Sequence, residues 1–353
     1  MTLQRIQDAG VFDDATSDER RARVYVSSGE FGLKGDDRSE AALMRVLTEA
    51  PAPQRVHVVG PSGAGKTSML LRVVADLARR ELKVHHEVLI VRVGDRPERL
   101  ASPEEVMKMV LETIAVEGHR FSSIDEAVLR AAAADEHTQT GAQVEHRGGL
   151  TAPVVSYQAA IKEAYETAGF GQNAAQVRHD LEDVLRQVHD AGYRPVLVLD
   201  DTEKFVSPGA EGRLDETSVE NLYHHGVRVL GELQVDLVVA MHPRFADVDR
   251  VSEVVDRLGM ARIDVAILPA AADGPALSRI LERRMERDEI DGDLEAVIER
   301  AAVEELQVLY HERDCDLRSV LKLAHAAAGH AVARGVSRIE ARDVREVVAL
   351  AHG

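Results

Sequence analysis

The chain of 353 residues carries 43 lysines and arginines against 61 aspartates and glutamates, which gives a formal net charge of −18. Its 45% apolar content is enough for the cores of two or three domains, so an intrinsically disordered chain is excluded. No apolar run approaches the roughly 20 residues that span a bilayer, and the amino terminus lacks the apolar stretch of a signal peptide. The single cysteine, Cys315, excludes an internal disulfide and a cysteine-based zinc cluster. We therefore expect a cytoplasmic protein without membrane contact.

Residues 1–50 form a charged and glycine-containing approach segment, with a helical pattern only at 40–48. After it, the sequence alternates between two kinds of pattern. Short runs rich in Val, Leu and Ile are separated by segments with helical periodicity, which is typical of parallel strands buried on both faces. Five such runs occur: RVHVV (55–59), EVLIVRV (87–93), VLVLDD (196–201), DLVVAM (236–241) and RIDVAIL (262–268). The sequence predicts an α/β core at 51–270 with a mostly parallel five-stranded sheet.

After Pro269 the strand pattern stops and only helical patterns remain. They lie at 276–287, 294–310, 317–334 and 341–351. Apolar residues recur in them at the spacing of one helix face. We therefore predict a separate all-helical domain at 271–353.

About 100 residues separate the second and third predicted strands, which is more than a crossover connection needs. Helices are expected at 103–116 and 174–191, and an insertion at 118–175. Two weakly alternating runs flank Arg147-Gly148-Gly149 within 137–158, which favours a hairpin there. Nucleotide chemistry does not require this insertion, so we expect it to contact a protein partner. A tolerated surface loop is the alternative.

A complete G-x-x-x-x-G-K-[ST] motif follows the first strand and precedes the helical run SMLLRVVADLARR, which is the context that this motif requires. Its glycines allow successive backbone N–H groups to face phosphate oxygens, its lysine reaches the outer phosphates and its threonine ligates Mg²⁺. The predicted ATP- or ADP-binding residues are those of the motif and the residue that follows it: Gly60, Pro61, Ser62, Gly63, Ala64, Gly65, Lys66, Thr67 and Ser68.

The third strand ends in acidic residues, which supply the second half of such a site. Asp200 is expected to hold Mg²⁺ together with Thr67, directly or through water. Asp201 or Glu203 would orient the attacking water as a carboxylate base, and Asp201 is the preferred candidate. A strand that simply ends in polar turn residues is the alternative.

These motifs, with the fourth strand and the helical domain, resemble the AAA+ ATPases, within the branch that contains origin-recognition initiators and related signalling ATPases. His242 and Arg244 follow DLVVAM, where that family carries its first sensor residue and, in the signalling branch, an arginine two positions on. Arg257 matches the position of an arginine finger that acts in a neighbouring subunit. Arg318, in CDLR, matches the arginine of the helical lid that senses the γ-phosphate.

The resemblance implies an oligomeric ATPase that binds ATP or ADP with Mg²⁺ between the core and the lid and that recruits or remodels a partner. The chain departs from the family at two of these features. The second acidic residue at the strand end is usually glutamate in the family, where this chain has Asp201. Initiators continue into a winged-helix domain, for which we expect no room before Gly353. Two alternatives stay open. One is a slow-hydrolysing switch or scaffold of the defence- or transposition-associated kind, and the other is a DNA-associated initiator-like ATPase, which the acidic charge disfavours.

Overall fold

The structure is a computed structural model that describes residues 3, 11, 25–31, 39–51, 53–79, 85–117, 174–207, 213–269, 276–287, 290, 292–313 and 315–352. A five-stranded sheet lies at its centre, and every strand pairing in it is parallel. The strands are β1 Arg55–Val59, β2 His85–Arg92, β3 Tyr193–Asp200, β4 Asp236–Met241 and β5 Ala261–Asp264. Their order across the sheet is β2-β3-β4-β1-β5. The predicted α/β class and the five-stranded parallel sheet are confirmed.

Helices cover both faces of the sheet. They are α1 Ser39–Glu49, α2 Lys66–Arg79, α3 Pro103–Glu117, α4 Ala174–Asp190, α5 (Glu216–Asn221, the π-helical turn Leu222–Val227 and Arg228–Gly231) and α6 Asp249–Leu258. Successive strand residues point to opposite faces, so Val196 and Val198 pack with α1 and α2. Leu197 and Leu199 pack with α3 to α6 on the other face. Burial on both faces explains why the strands read as continuous apolar runs.

Four helices follow the sheet, and we call them the lid helices: α7 Ala276–Arg287, α8 Arg300–Glu312, α9 Leu317–Ala333 and α10 Ala341–His352. They enclose a hydrophobic core of their own. Leu3, Val11 and Val26 of the predicted approach segment are buried in this core, so part of that segment packs on the lid helices. None of the helices in the described residues is long and apolar enough to cross a bilayer.

Two predicted boundaries are wrong. The expected helix at 294–310 is interrupted, because Ile298 forms a parallel bridge with Ile339 and α8 starts only at Arg300. The fifth strand ends at Asp264 rather than at residue 268, and Ala266 N then donates to the Ser39 hydroxyl at 3.3 Å. Helices α5 and α6 were not predicted. The hairpin expected at 137–158 and most of the 118–175 insertion lie outside the described residues.

Candidate nucleotide site

The phosphate loop connects β1 to α2 at the carboxyl edge of the sheet. Gly60 N donates to the Met241 carbonyl of β4 at 3.1 Å, which fixes the start of the loop to the neighbouring strand. Gly63 and Gly65 have φ angles of +73° and +90°, a conformation that residues with a Cβ rarely adopt. The two inner glycines of the motif are therefore required by the backbone, and the turn delivers the chain into the first turn of α2.

Lys66 is the cationic centre of this loop. Its side chain is buried, and Nζ donates to the carbonyl oxygens of Gly60 and Pro61, each at 2.9 Å. Burial lowers the pKa of Lys66, and the carboxylates of Glu203 and Asp200 partly offset that effect. The carbonyl groups that hold the ammonium are neutral, so the loop keeps a positive charge that a phosphate group would neutralise.

Asp200, the last residue of β3, reaches this loop across β4. Its Oδ1 accepts a hydrogen bond from the Thr67 hydroxyl at 3.1 Å. The residue is 1% exposed, and its Oδ2 has no hydrogen-bond partner among the described residues. Burial and the neighbouring carboxylates of Glu203 and Asp201 raise the pKa of Asp200 to about 6. A buried carboxylate oxygen without a donor is unfavourable unless a cation or donor is added.

The residues around Asp200 suit a divalent cation. One carboxylate oxygen each from Asp200, Asp201 and Glu203 lies within 4.8 Å of the others, and the Thr67 hydroxyl adds a further oxygen. Glu203 Oε2 also has no hydrogen-bond partner within the described parts of the chain. Mg²⁺ prefers hard oxygen ligands of this kind and keeps several waters. The donor set therefore fits Mg²⁺, with Thr67 and Asp200 as the residues that would hold it.

Asp201 and Glu203, the two candidate bases, have different surroundings. Asp201 has a left-handed backbone (φ 62°, ψ 21°), and its carboxylate lies 3.2 Å from Arg92 Nη1 and 3.6 Å from Lys204 Nζ. Glu203 belongs to the 3₁₀ turn Thr202–Phe205.

Gly94, just beyond β2, lies against this turn: a Cβ built on it would be 2.0 Å from the Asp201 carbonyl oxygen. The turn is therefore fixed to the edge strand by a close backbone approach that only glycine allows.

The residues predicted at the end of β4 form a local cap. His242 Nδ1 accepts a hydrogen bond from Arg244 N at 3.3 Å and caps the 3₁₀ turn Pro243–Asp247. The Arg244 side chain is exposed. Arg257 is also exposed, in the last turn of α6, where its Nη2 lies 3.4 Å from the Glu232 carboxylate. Both arginine side chains thus lie at the surface of the chain.

Arg318 stands at the start of α9, and that helix begins against the phosphate loop. Asp316 caps the helix by accepting hydrogen bonds from the backbone N–H groups of Arg318 and Ser319 at 3.0 and 3.2 Å. A Cβ built on Gly63 would lie 1.8 Å from Asp316 Oδ1 and 3.3 Å from Arg318 N. The charge of Arg318 contributes to lowering the pKa of Lys66. The lid arginine and the loop lysine therefore lie near one another.

A small cavity of about 80 Å³ adjoins the loop where the sheet, the lid helices and the amino-terminal segment meet. The loop side includes Ala64, Gly65 and Ser68, and the opposite walls include the apolar side chains of Ile280 and Leu317 together with Tyr25. Its volume is well below the roughly 300–1,000 Å³ of an ordinary ligand pocket, so the described residues leave little open space beside the loop. Sequence reasoning missed Tyr25. The sequence offered one indication of it: Tyr25 is one of only six tyrosines and lies in the short run RVYV ahead of the first strand.

Comparison of the chain with protein-family models finds no match, and comparison with curated proteins finds none either. Among solved structures it is similar to the Aeropyrum pernix ORC1 protein in complex with DNA, with a TM-score of 0.52 and 20% identity over 93% of this chain and 68% of that one. It is also similar to the Aeropyrum pernix ORC2 protein in its ADPNP–ADP complexes, with a TM-score of 0.50 and 18% identity over 96% and 71% of the two chains. The fold of this chain is therefore that of the origin-recognition AAA+ proteins.

Proposed function

We propose that this chain is a Mg²⁺-dependent ATPase of the AAA+ type, which binds ATP between the sheet and the lid helices. The observation that carries the proposal is the contact between Thr67 and Asp200 beside the buried Lys66, with Asp200 Oδ2 left without a donor. A buried carboxylate oxygen without a donor calls for an explanation, and a bound cation would supply one. The ORC2 structure solved with ADPNP and ADP, on the same fold, supports the nucleotide class.

We propose a task for each part of the site. Backbone N–H groups of the loop and the Lys66 ammonium would bind the outer phosphates, since both present positive charge inside the turn. Thr67 and Asp200 would hold Mg²⁺, which would supply positive charge next to the phosphate oxygens. Arg318, at the start of α9, would contact the γ-phosphate and so couple the nucleotide to the lid helices.

Titration calorimetry with ATP and Mg²⁺ tests the site. Lys66→Ala should weaken ATP binding at least about 100-fold, because the removed ammonium contacts the ligand rather than the hydrophobic core. Lys322→Ala is the matched control, since Lys322 is exposed on α9. Unchanged affinity in the Lys66 variant, at an unchanged melting temperature, would contradict the phosphate-loop assignment.

We further propose that the protein acts as a nucleotide-controlled homo-oligomer in the cytoplasm, with Arg257 offered to the neighbouring subunit's site. The exposure of Arg257, whose side chain is 59% accessible, supports this role. Light scattering with ATP, with ADP and without nucleotide tests it. A particle mass that is the same in all three conditions would contradict nucleotide control of assembly.

A slow switch or scaffold is the second candidate. It is favoured by Asp201, which is shorter than the expected glutamate and is held by Arg92 and Lys204. Steady-state turnover measured with and without a partner distinguishes the two: a switch would turn over slowly until its partner is added. The 118–175 insertion is our candidate partner contact, although most of it is outside the described residues. Replacing 137–158 with a short Gly-Ser linker should weaken assembly or partner-stimulated turnover while ATP binding persists.

DNA association is the third candidate, and the ORC1 structure in complex with DNA favours it. The net charge of −18 opposes it, because DNA affinity depends on neutralising phosphates with basic side chains. Filter binding at low salt with ATP present decides between these arguments. Retention of duplex DNA that falls steeply with added salt would support the initiator-like function.

A further inference from the structure

Two carboxylates at the end of β3 compete for the role of base, and the geometry points to Glu203, rather than Asp201, as the group that orients and deprotonates the attacking water. This inference rests on the proposed ATPase function and specifies one residue of that site. It also reverses the preference for Asp201 that the sequence suggests. The reasons lie in which neighbouring strand each residue is attached to.

Asp201 is attached to the wrong side of β3 for this role. Its carboxylate pairs with Arg92, the last residue of β2, and with Lys204, which also pairs with Asp95 beyond that strand. In the sheet order β2-β3-β4-β1-β5, the edge strand β2 lies on the side of β3 that is opposite the phosphate loop. One oxygen of the Asp201 carboxylate is thus paired with two cations on the β2 side, although the group still lies within 4.8 Å of Asp200 and Glu203.

The left-handed backbone of Asp201 supports a conformational role. Aspartate and asparagine adopt this conformation more readily than longer or branched side chains. A glutamate, which AAA+ proteins usually have here, would gain nothing from its length while Arg92 holds the carboxylate. Asp201 is therefore a positioning residue that turns the chain and ties it to β2.

Glu203 is attached to the side that faces the loop. Its neighbour Thr202 is fully buried, and the Thr202 hydroxyl donates to the Ala240 carbonyl of β4 at 2.6 Å. Because β4 lies between β3 and β1, this bond draws the 3₁₀ turn toward the phosphate loop. Glu203 Oε2 is buried and has no hydrogen-bond partner in the described part of the chain.

The electrostatics agree with this placement. Among the acidic groups that raise the pKa of Lys66, Glu203 has the largest effect, ahead of Asp200. Geometry places Glu203 there independently of this effect, since one of its carboxylate oxygens lies within 4.8 Å of an oxygen of Asp200, which contacts the Thr67 hydroxyl beside Lys66. Such an oxygen is placed to accept a proton from a water molecule next to the phosphate.

The reaction that follows is balanced. The water oxygen forms a bond to the γ-phosphorus, and the bond between that phosphorus and the β–γ bridging oxygen breaks. The bridging oxygen keeps the electron pair and leaves with ADP, while Glu203 takes one proton from the water. Orthophosphate is the second product, and the proton passes from Glu203 to phosphate or solvent.

Four chains test the assignment: the parent, Glu203→Gln, Asp201→Asn and, as a matched control, Glu98→Gln on the exposed surface next to β2. For each one we would measure ATP affinity with Mg²⁺ by calorimetry, the melting temperature, and the cleavage of bound ATP in a single turnover with protein in excess. Glu203→Gln should bind ATP within about threefold of the parent and cleave it at least about 100-fold more slowly. Asp201→Asn should lower the melting temperature and slow cleavage less than about tenfold.

Three results would overturn the assignment. They are cleavage by Glu203→Gln at the parent rate, a larger loss of cleavage in Asp201→Asn than in Glu203→Gln, and a loss of Mg²⁺-dependent affinity in Glu203→Gln, which would make Glu203 a metal ligand. If Glu203→Gln does not fold, Glu203→Asp replaces it, with the charge kept and the reach shortened, and the same criteria apply. A parent that binds ATP and leaves it intact would instead contradict the proposed hydrolysis, and this assignment with it.

Discussion

Asp236 and Asp200 are buried carboxylates at opposite ends of the central strands, and their surroundings differ. Asp236 starts β4 and Asp200 ends β3, and each residue is 1% exposed. Both oxygens of Asp236 are hydrogen-bonded: Arg194 Nη2 donates to Oδ1 at 2.9 Å, Arg194 Nε donates to Oδ2, and Gln54 N donates to Oδ1. Asp200 has the Thr67 hydroxyl on one oxygen and no partner on the other within the described residues.

This difference separates a carboxylate that completes a protein network from one with an oxygen still open to a further partner. At the amino ends of the strands the charge is neutralised by a bidentate arginine, which also donates to the Ala50 carbonyl at 2.9 Å and so closes the network. At the carboxyl ends the network is incomplete. Burial alone does not indicate function, since both residues are equally buried; the unsatisfied oxygen is the informative feature.

The largest change in stability is expected from Asp236→Ala. It would leave the buried Arg194 guanidinium without its counter-ion, which costs about 3–5 kcal/mol of unfolding free energy. Urea unfolding measures this loss. The matched control is Asp264→Ala, which removes an exposed partner of Arg262 and should cost less than about 1 kcal/mol. Similar losses in the two variants would erase the distinction between the buried network and a surface pair.

Asp200→Asn should raise the unfolding free energy, where Asp236→Ala lowers it. The nucleotide-free chain should become about 1–3 kcal/mol more stable at pH 7. The pKa of Asp200 is about 6 in the folded chain against 3.8 as its ordinary value, so the folded state holds a proton that the unfolded state releases. Stability from this group is therefore present below pH 4 and is lost as the pH rises to 6. Asparagine removes this dependence.

Thermal unfolding of the parent and the Asp200→Asn variant at pH 4 and pH 7, with and without ATP and Mg²⁺, tests both statements. The variant should gain less from the added nucleotide, because the cation would lose one ligand. A variant that is less stable than the parent at pH 7 would show that the Thr67 contact outweighs the effect of burial.

Gly63→Ala should cost about 1–2 kcal/mol, since it forces a Cβ into a left-handed backbone and against the Asp316 carboxylate. Gly192→Ala is the control, because Gly192 has a φ of +87° but no atom within 4 Å of its Cβ position. The two variants share the backbone strain, so the difference between their melting temperatures isolates the contact between the loop and α9. Equal melting temperatures would mean that α9 moves away from the loop at little cost.

Arg257→Ala should change the unfolding free energy least, by no more than about 0.5 kcal/mol, because its exposed pair with Glu232 is weak. Turnover should nevertheless fall, since an arginine supplied to a neighbouring site stabilises developing charge. Adding the Lys66→Ala chain, which keeps Arg257, should restore activity in mixed oligomers. Absence of rescue despite demonstrated co-assembly would direct attention to Arg244 or Arg250.

The sequence predicts the sheet and the phosphate loop because both are local patterns. Strands buried on two faces are apolar throughout, and a loop with two left-handed positions needs glycines there. Helix α5 has no such pattern, since the π-helical turn Leu222–Val227 shifts its periodicity and places two histidines within it. The surroundings of Asp201 are set by Arg92, which is 109 residues away in the chain, and no local pattern records that pair.

Tyr25 shows the same limit. Its place beside the loop depends on packing between the amino-terminal segment and the lid helices, together with a hydrogen bond from its hydroxyl to Glu40 at 3.3 Å. The lid arginine is the contrasting case: a family resemblance supplied Arg318, whose charge contributes to lowering the pKa of Lys66, and its contact with a γ-phosphate stays a prediction. Contacts distant in sequence are therefore predictable here only where a related family provides them.

Gly94 has a consequence for how this chain can vary among relatives. Any side chain there would meet the Asp201 carbonyl and displace the turn that carries Glu203, although Gly94 itself performs no chemistry. A relative could therefore keep the phosphate loop, Asp200 and Glu203 unchanged and still lose activity through one substitution in the segment after β2. Under the proposed function, Gly94→Ala would slow ATP cleavage without altering any residue proposed to touch the nucleotide.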